Sequence, residues 1–161
     1  GWFHTGDIGE WDGECVKITD RKKDLLVLGN GKNVAPQPIE NKLKESPYIA
    51  EAVLFGDGSE FVYGLIIPNF EHLARFVEDQ GLKAPSAAQM IELEPVKQLV
   101  KREIDKVNKS LADFERVKRH VLLDATFTVE SGELTPSMKV KRKVVKEKFA
   151  AEIATMAPQS N

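Results

Sequence analysis

The chain of 161 residues contains one cysteine, three histidines and no apolar run long enough to cross a membrane. The single cysteine, Cys15, excludes a disulfide within the chain and is typical of a reducing compartment. Its place in a predicted strand indicates a half-buried side chain rather than a nucleophile. His4, His72 and His120 are far apart and have no cysteine or carboxylate cluster beside them, so we predict no metal site. No signal peptide is visible.

The charge balance also excludes some functions. A net charge of -2 gives no sign of a nucleic-acid surface. A 42% hydrophobic and 30% charged composition predicts one folded domain, with or without a short extension, rather than disorder. Basic residues are concentrated near the C-terminus, where they predict the solvated face of a helix; a membrane-surface helix is the alternative. These residues are Lys139, Lys141, Arg142, Lys143, Lys146 and Lys148.

The apolar pattern predicts an α+β domain in which a β-hairpin precedes a small sheet covered by helices. Asp12-Gly13 between two short strands is the hairpin signal. Glycines mark a loop without regular structure over residues 29–35. We predict further strands over 49–55, 61–67, 121–123 and 127–129, and helices that begin at Pro36, after Asn69, after Ser86, at Pro95 and at Val140.

Three features near the start of the chain suit nucleotide chemistry. Asp7 can accept hydrogen bonds from a diol, and Arg21 can donate a forked pair to phosphate or ribose oxygens. The segment Gly29-Asn30-Gly31-Lys32-Asn33 lets backbone approach a ligand closely. Each feature also has a plain structural explanation. Asp7 could cap a helix or lie in a turn, Arg21 could lie at a solvated hairpin tip, and the segment 29–33 could be an ordinary turn. The chain begins without methionine and inside a motif, so we expect an excised piece whose missing part carries half of the site.

The order of the motifs is more specific than any one of them. Gly-Trp-Phe-His-Thr-Gly-Asp at the start is followed by Thr-Asp-Arg-Lys-Lys-Asp, Gly-Asn-Gly-Lys-Asn-Val-Ala-Pro and, from residue 134, Leu-Thr-Pro-Ser-Met-Lys-Val-Lys-Arg. This order resembles the adenylate-forming enzymes, and most of all the C-terminal domain of long-chain acyl-CoA synthetases. The resemblance covers essentially the whole chain. A long insert at about residues 69–111 resembles the long-chain members of the family more than the short-chain or luciferase-like members.

The resemblance implies a two-step reaction and a moving domain. In this family a carboxylate reacts with ATP to give acyl-AMP and pyrophosphate, and CoA then forms the thioester. The small C-terminal domain turns on the large domain between the two steps. Asp7 matches the aspartate that holds the ribose hydroxyls, Arg21 an arginine near ribose and phosphates, and Lys23 the hinge position.

The resemblance also assigns roles to the later motifs. Lys139 matches the lysine that reaches the substrate carboxylate and the α-phosphate, and Met138 stands where the usual pattern has glycine. The segment 29–33 matches the loop that lines the CoA channel in the thioester-forming pose. The motif that begins with this loop continues through Val-Ala-Pro-Gln-Pro-Ile and ends at Glu40, which is expected to have a structural role on the following helix.

The resemblance therefore predicts a long-chain fatty acid–CoA ligase, an acid–thiol ligase that uses ATP, Mg²⁺ and CoA. Residues 1–22 would end the large N-terminal domain, 23–156 would form the mobile domain and 157–161 a frayed tail. Its expected partners are the fatty acid and its own N-terminal domain, its expected location is the cytoplasm, and peripheral membrane contact is a further expectation. A fatty acyl-AMP ligase that serves a carrier protein, and a noncatalytic binding domain, remain alternatives.

Overall fold

The first element of the fold is the predicted hairpin. A computed structural model describes residues 7–21, 24–84 and 86–158. Strands β1 (Asp7–Asp12) and β2 (Cys15–Arg21) pair antiparallel and are joined by a turn with Gly13 at φ +65°. Asp-Gly suits this turn because glycine adopts positive φ without steric cost. Cys15 lies in β2 as predicted, but its side chain is exposed rather than half-buried, because it is next to the open hairpin tip.

A three-stranded sheet forms the centre of the domain. Strands β5 (Ile49–Phe55), β6 (Val62–Pro68) and β7 (Val117–Leu122) lie in the order β5-β6-β7. The first pair is antiparallel and the second is parallel. All residues of the middle strand, β6, are buried, which matches its apolar sequence.

The parallel pair of strands requires a long crossover. Helices α2 (Phe70–Asp79), α3 (Ala87–Glu92) and α4 (Glu94–Asn108) form this connection. The predicted starts of α2 after Asn69 and of α3 after Ser86 are confirmed. The Asn69 and Ser86 side chains cap these helices by accepting hydrogen bonds from the backbone N–H groups of His72 and Gln89, both at 3.3 Å. The predicted insert is therefore the crossover that carries the chain from β6 to β7.

Helices cover both faces of this sheet. Ala52 and Leu54 of β5 point into a cluster with α1 (Pro36–Lys44) and α4, whereas Val53 and Phe55 point into a cluster with α5 (Arg142–Lys148) and α6 (Ala150–Met156). This alternation follows from the two-residue repeat of a strand. Burial of each large apolar side chain stabilises the fold by ~1.5–3 kcal/mol, so the sheet is a firm support for the loops at its edges.

The structure corrects two predicted strand boundaries. Residues 29–35 are not all irregular, because β4 (Asn33–Val34) pairs with β3 (Leu26–Val27). Strand β7 is longer than the predicted 121–123; its first residues include Lys118, Arg119 and His120. Because these residues are polar, the apolar pattern did not predict this part of the strand. Polar residues are accommodated there because β7 lies at the edge of the sheet.

The segment 127–129 is not a strand, and this prediction was wrong. The Phe127 side chain is buried beside Phe149, with ring centroids 5.8 Å apart. The Thr128 side chain instead accepts a hydrogen bond from the Ser131 N–H at 3.0 Å, which closes a turn.

The last predicted helix is divided and begins later than Val140. That residue forms an isolated antiparallel bridge with Leu134, and α5 begins at Arg142. The helical path is interrupted at Phe149, whose φ of -109° and ψ of 33° separate α5 from α6. Within the described residues, no helix is both long and apolar enough to span a membrane.

Candidate active-site elements

Lys139 lies on a short hairpin, residues 134–140, which we call the lysine hairpin. The Thr135 N–H donates to the Lys139 carbonyl at 2.8 Å, and the Met138 N–H donates to the Thr135 carbonyl at 2.8 Å. The Thr135 hydroxyl accepts from the Lys139 N–H at 3.0 Å. The backbone at Lys139 is thus held from both sides while its side chain is exposed. Within the described ranges, Lys139 forms no salt bridge.

Met138 has a left-handed backbone conformation, with φ +63°. Among residues 7–21, 24–84 and 86–158, no other non-glycine residue has positive φ. Such a conformation brings the side-chain Cβ of an L-residue close to the following carbonyl oxygen. Glycine, which the pattern that the sequence resembles has at this position, would avoid that contact. Met138 therefore forms this turn without the conformational freedom of glycine.

A buried carboxylate holds the foot of the lysine hairpin. The Glu133 carbonyl accepts from the Lys141 N–H at 2.7 Å, and its side chain, in a residue only 1% exposed, contacts Lys148, Ser131 and the Thr128 N–H. Burial alone would raise the pKa of Glu133. The hydrogen bonds from Lys148, Ser131 and backbone outweigh burial and lower this pKa from 4.5 to about 2. Glu133 is therefore ionised at neutral pH.

Residues 29–33, which we call the glycine turn, follow β3 and end at the first residue of β4. The Leu28 N–H donates to the Lys32 carbonyl at 2.9 Å, and Asn30 Oδ1 accepts from the Lys32 N–H at 3.0 Å. Gly31 has φ +80°, and a Cβ on Gly29 would come within 3.1 Å of the Gly58 carbonyl oxygen. The turn itself therefore explains why glycine occupies both positions, without any ligand. This agrees with the plain structural explanation of the segment as an ordinary turn. The open space around Gly31 leaves room for a ligand on its outer side.

The hairpin register brings the backbones of Asp7 and Arg21 directly opposite each other. These two residues, fourteen apart in sequence, therefore share one end of the β1–β2 hairpin. The side chains of both residues, and the whole of Lys23, lie outside the described residues. The predicted roles of all three stay predictions.

Sequence reasoning placed Glu40 on a helix but did not identify its partner. Arg142 Nη1 donates to Glu40 Oε1 at 2.7 Å and Nη2 donates to Oε2 at 3.2 Å. Arg142 Nη1 also donates to the Leu54 carbonyl at 2.6 Å, while Glu40 Oε1 accepts from the Leu54 N–H at 2.8 Å. We call this group the Glu40–Arg142 clamp. Its partners are 102 residues apart, and the signals in the sequence were only an acid and an arginine at the ends of two motifs.

Among the open pockets of the described residues, one lies beside these elements and another lies apart from them. One, of about 280 Å³, lies beside the clamp and is lined by Asp24, Phe55, Gly56, Asp57, Tyr63, Arg142, Lys143 and Lys146. Burial, together with the charge of Asp57, raises the pKa of Tyr63, so this phenol stays neutral. The other pocket, of about 360 Å³, lies between α3, α4 and β7. Neither pocket is lined by a predicted site residue. Within the described residues, no three His, Cys, Asp or Glu side chains are grouped to hold a metal ion.

Comparison with known families decides the relationship. The family described as the AMP-binding enzyme C-terminal domain matches residues 23–160. The chain belongs to this family. It is 37% identical over 155 residues to a long-chain-fatty-acid–CoA ligase of Mycobacterium tuberculosis. This match covers 95% of the present chain and 26% of that protein. It is 34% identical over 160 residues to long-chain-fatty-acid–CoA ligase 5 of Rattus norvegicus, with 97% and 23% covered. The chain thus spans about a quarter of the length of these relatives.

Solved structures support the same fold for this AMP-binding enzyme C-terminal domain. The adenylation domain of a carboxylate reductase from Mycobacterium chelonae is similar with a TM-score of 0.78 and 24% identity, over 95% of this chain and 22% of that one. A fatty acyl CoA synthetase of Mycobacterium tuberculosis is similar with a TM-score of 0.57 and 23% identity, over 94% and 25%. These similarities confirm the predicted α+β fold, and the family match over residues 23–160 confirms the predicted superfamily.

Proposed function

We propose that this chain is the C-terminal part of an ATP-dependent long-chain fatty acid–CoA ligase. The observation that carries the proposal is the lysine hairpin, which presents the exposed Lys139 on a backbone fixed by Thr135. Two long-chain-fatty-acid–CoA ligases that match nearly the whole chain support the choice of substrate class. The start of the family match at residue 23 supports a domain boundary at the proposed hinge, Lys23.

In the first step, a fatty acid carboxylate oxygen attacks the α-phosphorus of ATP. The bond to the β-phosphate oxygen breaks, and pyrophosphate leaves with the electron pair of that bond. Two anions approach each other in this step, and further negative charge gathers on the phosphorus oxygens. The proposed role of Lys139 is to place an ammonium group beside those oxygens, where a fixed positive charge lowers the barrier.

In the second step, the CoA sulfur attacks the acyl carbonyl carbon of acyl-AMP. The thiol proton is lost to solvent, the bond to the phosphate oxygen breaks, and AMP leaves. The glycine turn is proposed to face the pantetheine arm, as the resemblance implies, and the open space around Gly31 leaves room for it there. Lys139 has no role in this step, so the mobile domain would present different elements in the two steps.

Asp7 and Arg21 are proposed to hold the ribose and the phosphates in both steps, and Lys23 to change its backbone angles between them. A hinge needs no contact with substrate. We assign the Mg²⁺ that would neutralise ATP phosphates, and most adenine contacts, to the large N-terminal domain, as the resemblance to adenylate-forming enzymes implies. Peripheral membrane contact through the basic face of α5 stays a lesser proposal.

Pyrophosphate release by the full-length protein, measured with and without CoA, tests this function. We expect release with a long-chain fatty acid and ATP, and acyl-CoA formation on addition of CoA. Release without thioester formation in the presence of CoA would favour a fatty acyl-AMP ligase that serves a carrier protein. Absence of release with fatty acids of every chain length would favour a noncatalytic domain.

A further inference from the structure

We propose that the Glu40–Arg142 clamp fixes the lysine hairpin relative to the glycine turn, so that both half-reactions depend on one ion pair. The inference rests on the proposed function, because it takes these two segments to serve the two steps. Glu40 and Arg142 are positioning residues in this account and contact no substrate.

The connectivity places the clamp between the two segments. Arg142 begins α5 and is separated from Lys139 only by Val140 and Lys141. Glu40 lies on α1, which follows the glycine turn after β4 and Ala35. Each partner is thus joined through a few residues of fixed backbone to one of the two segments that the proposed function uses.

The clamp is also attached to the sheet. Both partners meet the backbone of Leu54, one through its N–H at 2.8 Å and one through its carbonyl at 2.6 Å. Leu54 is fully buried in β5, and α1 packs on that strand through Ile39 and Leu43. The ion pair therefore connects α1, β5 and the start of α5 through mutual hydrogen bonds, so each of the three elements is fixed relative to the other two.

The geometry requires arginine specifically. The two Arg142 nitrogens, Nη1 and Nη2, make three hydrogen bonds, two of them to the Glu40 carboxylate oxygens. A lysine ammonium at this site keeps the charge but is a point donor, without the planar fork that fits a carboxylate. Arg142→Lys therefore tests geometry with charge retained. The exposed Glu71–Arg75 pair, at 2.9 Å on α2, is a matched control, because it joins nothing but neighbouring turns of one helix.

The experiment compares the full-length wild-type enzyme with Arg142→Lys, Glu40→Gln, the double variant, Arg75→Lys and Lys139→Ala. Two rates are measured for each: pyrophosphate release from fatty acid and ATP, and acyl-CoA formation from supplied acyl-AMP and CoA. Thermal unfolding gives the folded fraction, and both rates are expressed per folded molecule at a temperature well below the transition.

We expect Arg142→Lys and Glu40→Gln to lower kcat of both half-reactions by about 10- to 100-fold, because small misplacements of reacting groups cost that much. The double variant should lose no more than the worse single variant, since either change opens the same clamp. Arg75→Lys should keep wild-type rates, and Lys139→Ala should lose adenylation alone.

A clamp with a merely structural role would lower the unfolding temperature and leave both rates per folded molecule unchanged, and this result would overturn the inference. Loss of only one half-reaction in Arg142→Lys would overturn it too, because coupling requires both. Wild-type adenylation in Lys139→Ala would instead refute the proposed role of the lysine hairpin, and the inference would fail with it. The arms therefore separate failure of the clamp from failure of the proposed function.

Discussion

Met138→Gly tests whether the turn before Lys139 is strained. An L-residue in the left-handed region costs ~1–2 kcal/mol, and glycine removes that cost. Glycine also loses more backbone freedom on folding, which costs ~0.5–1 kcal/mol. The Met138 side chain is 66% exposed, so little burial is lost with it. We expect the free energy of unfolding to rise by ~0.5–1 kcal/mol, equivalent to ~1–4 °C in Tm for a chain of this size.

Urea unfolding of the 161-residue chain measures this change. Met138→Ala is the matched control, because it removes the same long side chain but keeps a Cβ at φ +63°. Gly31→Ala is the reciprocal change: φ is +80° and a Cβ would meet no atom within 4 Å, so any destabilisation, expected at ~1 kcal/mol, comes from the backbone alone. Equal stability of the Met138→Gly and Met138→Ala variants would refute the reasoning.

Three further predictions concern acid stability, the hinge and nucleotide binding. The pKa of Glu133, lowered from 4.5 to about 2, contributes stability that is present above pH 4.5 and is lost as pH falls toward 2. Thermal unfolding should therefore show Glu133→Gln less stable than wild type at neutral pH, and a constant gap down to about pH 3 would contradict this. Lys23→Pro fixes φ at about -65° and removes one backbone N–H. In the full-length enzyme this substitution should spare pyrophosphate release and block CoA-dependent turnover. Normal turnover would show that the hinge is not Lys23, and Lys22 or Asp24 would be the next candidates. Calorimetric titration of the 161-residue chain with ATP, AMP or CoA should give affinities no better than ~1 mM, about -4 kcal/mol, and micromolar binding would show that the large domain is not needed for the site.

Local signals in the sequence were sufficient for most elements of the fold. Asp12-Gly13 predicts the β1–β2 turn, and Asn69 predicts the start of α2, because each acts through contacts within a few residues. The segment 127–129 was mistaken for a strand since Phe127 is apolar for burial beside Phe149, not for strand pairing. Apolar character alone does not distinguish these two causes.

The positions of site residues were predictable only through motif order. The lysine hairpin follows from the Leu-Thr-Pro-Ser-Met-Lys motif, but the left-handed Met138 does not, since methionine rarely adopts that conformation. The Glu40–Arg142 clamp is a tertiary contact between distant residues, and no local rule pairs them. The Glu133–Lys148 pair likewise depends on how α5 packs beside the lysine hairpin.

The role of Lys139 is the central claim, and one comparison tests it most directly. The two half-reactions of full-length Lys139→Ala are measured separately: pyrophosphate release from a long-chain fatty acid and ATP, and thioester formation from supplied acyl-AMP and CoA. The account predicts that adenylation falls by on the order of 10²–10³, the effect of losing one transition-state donor, while thioester formation stays near the wild-type rate. Equal damage to both half-reactions, or to neither, would contradict it.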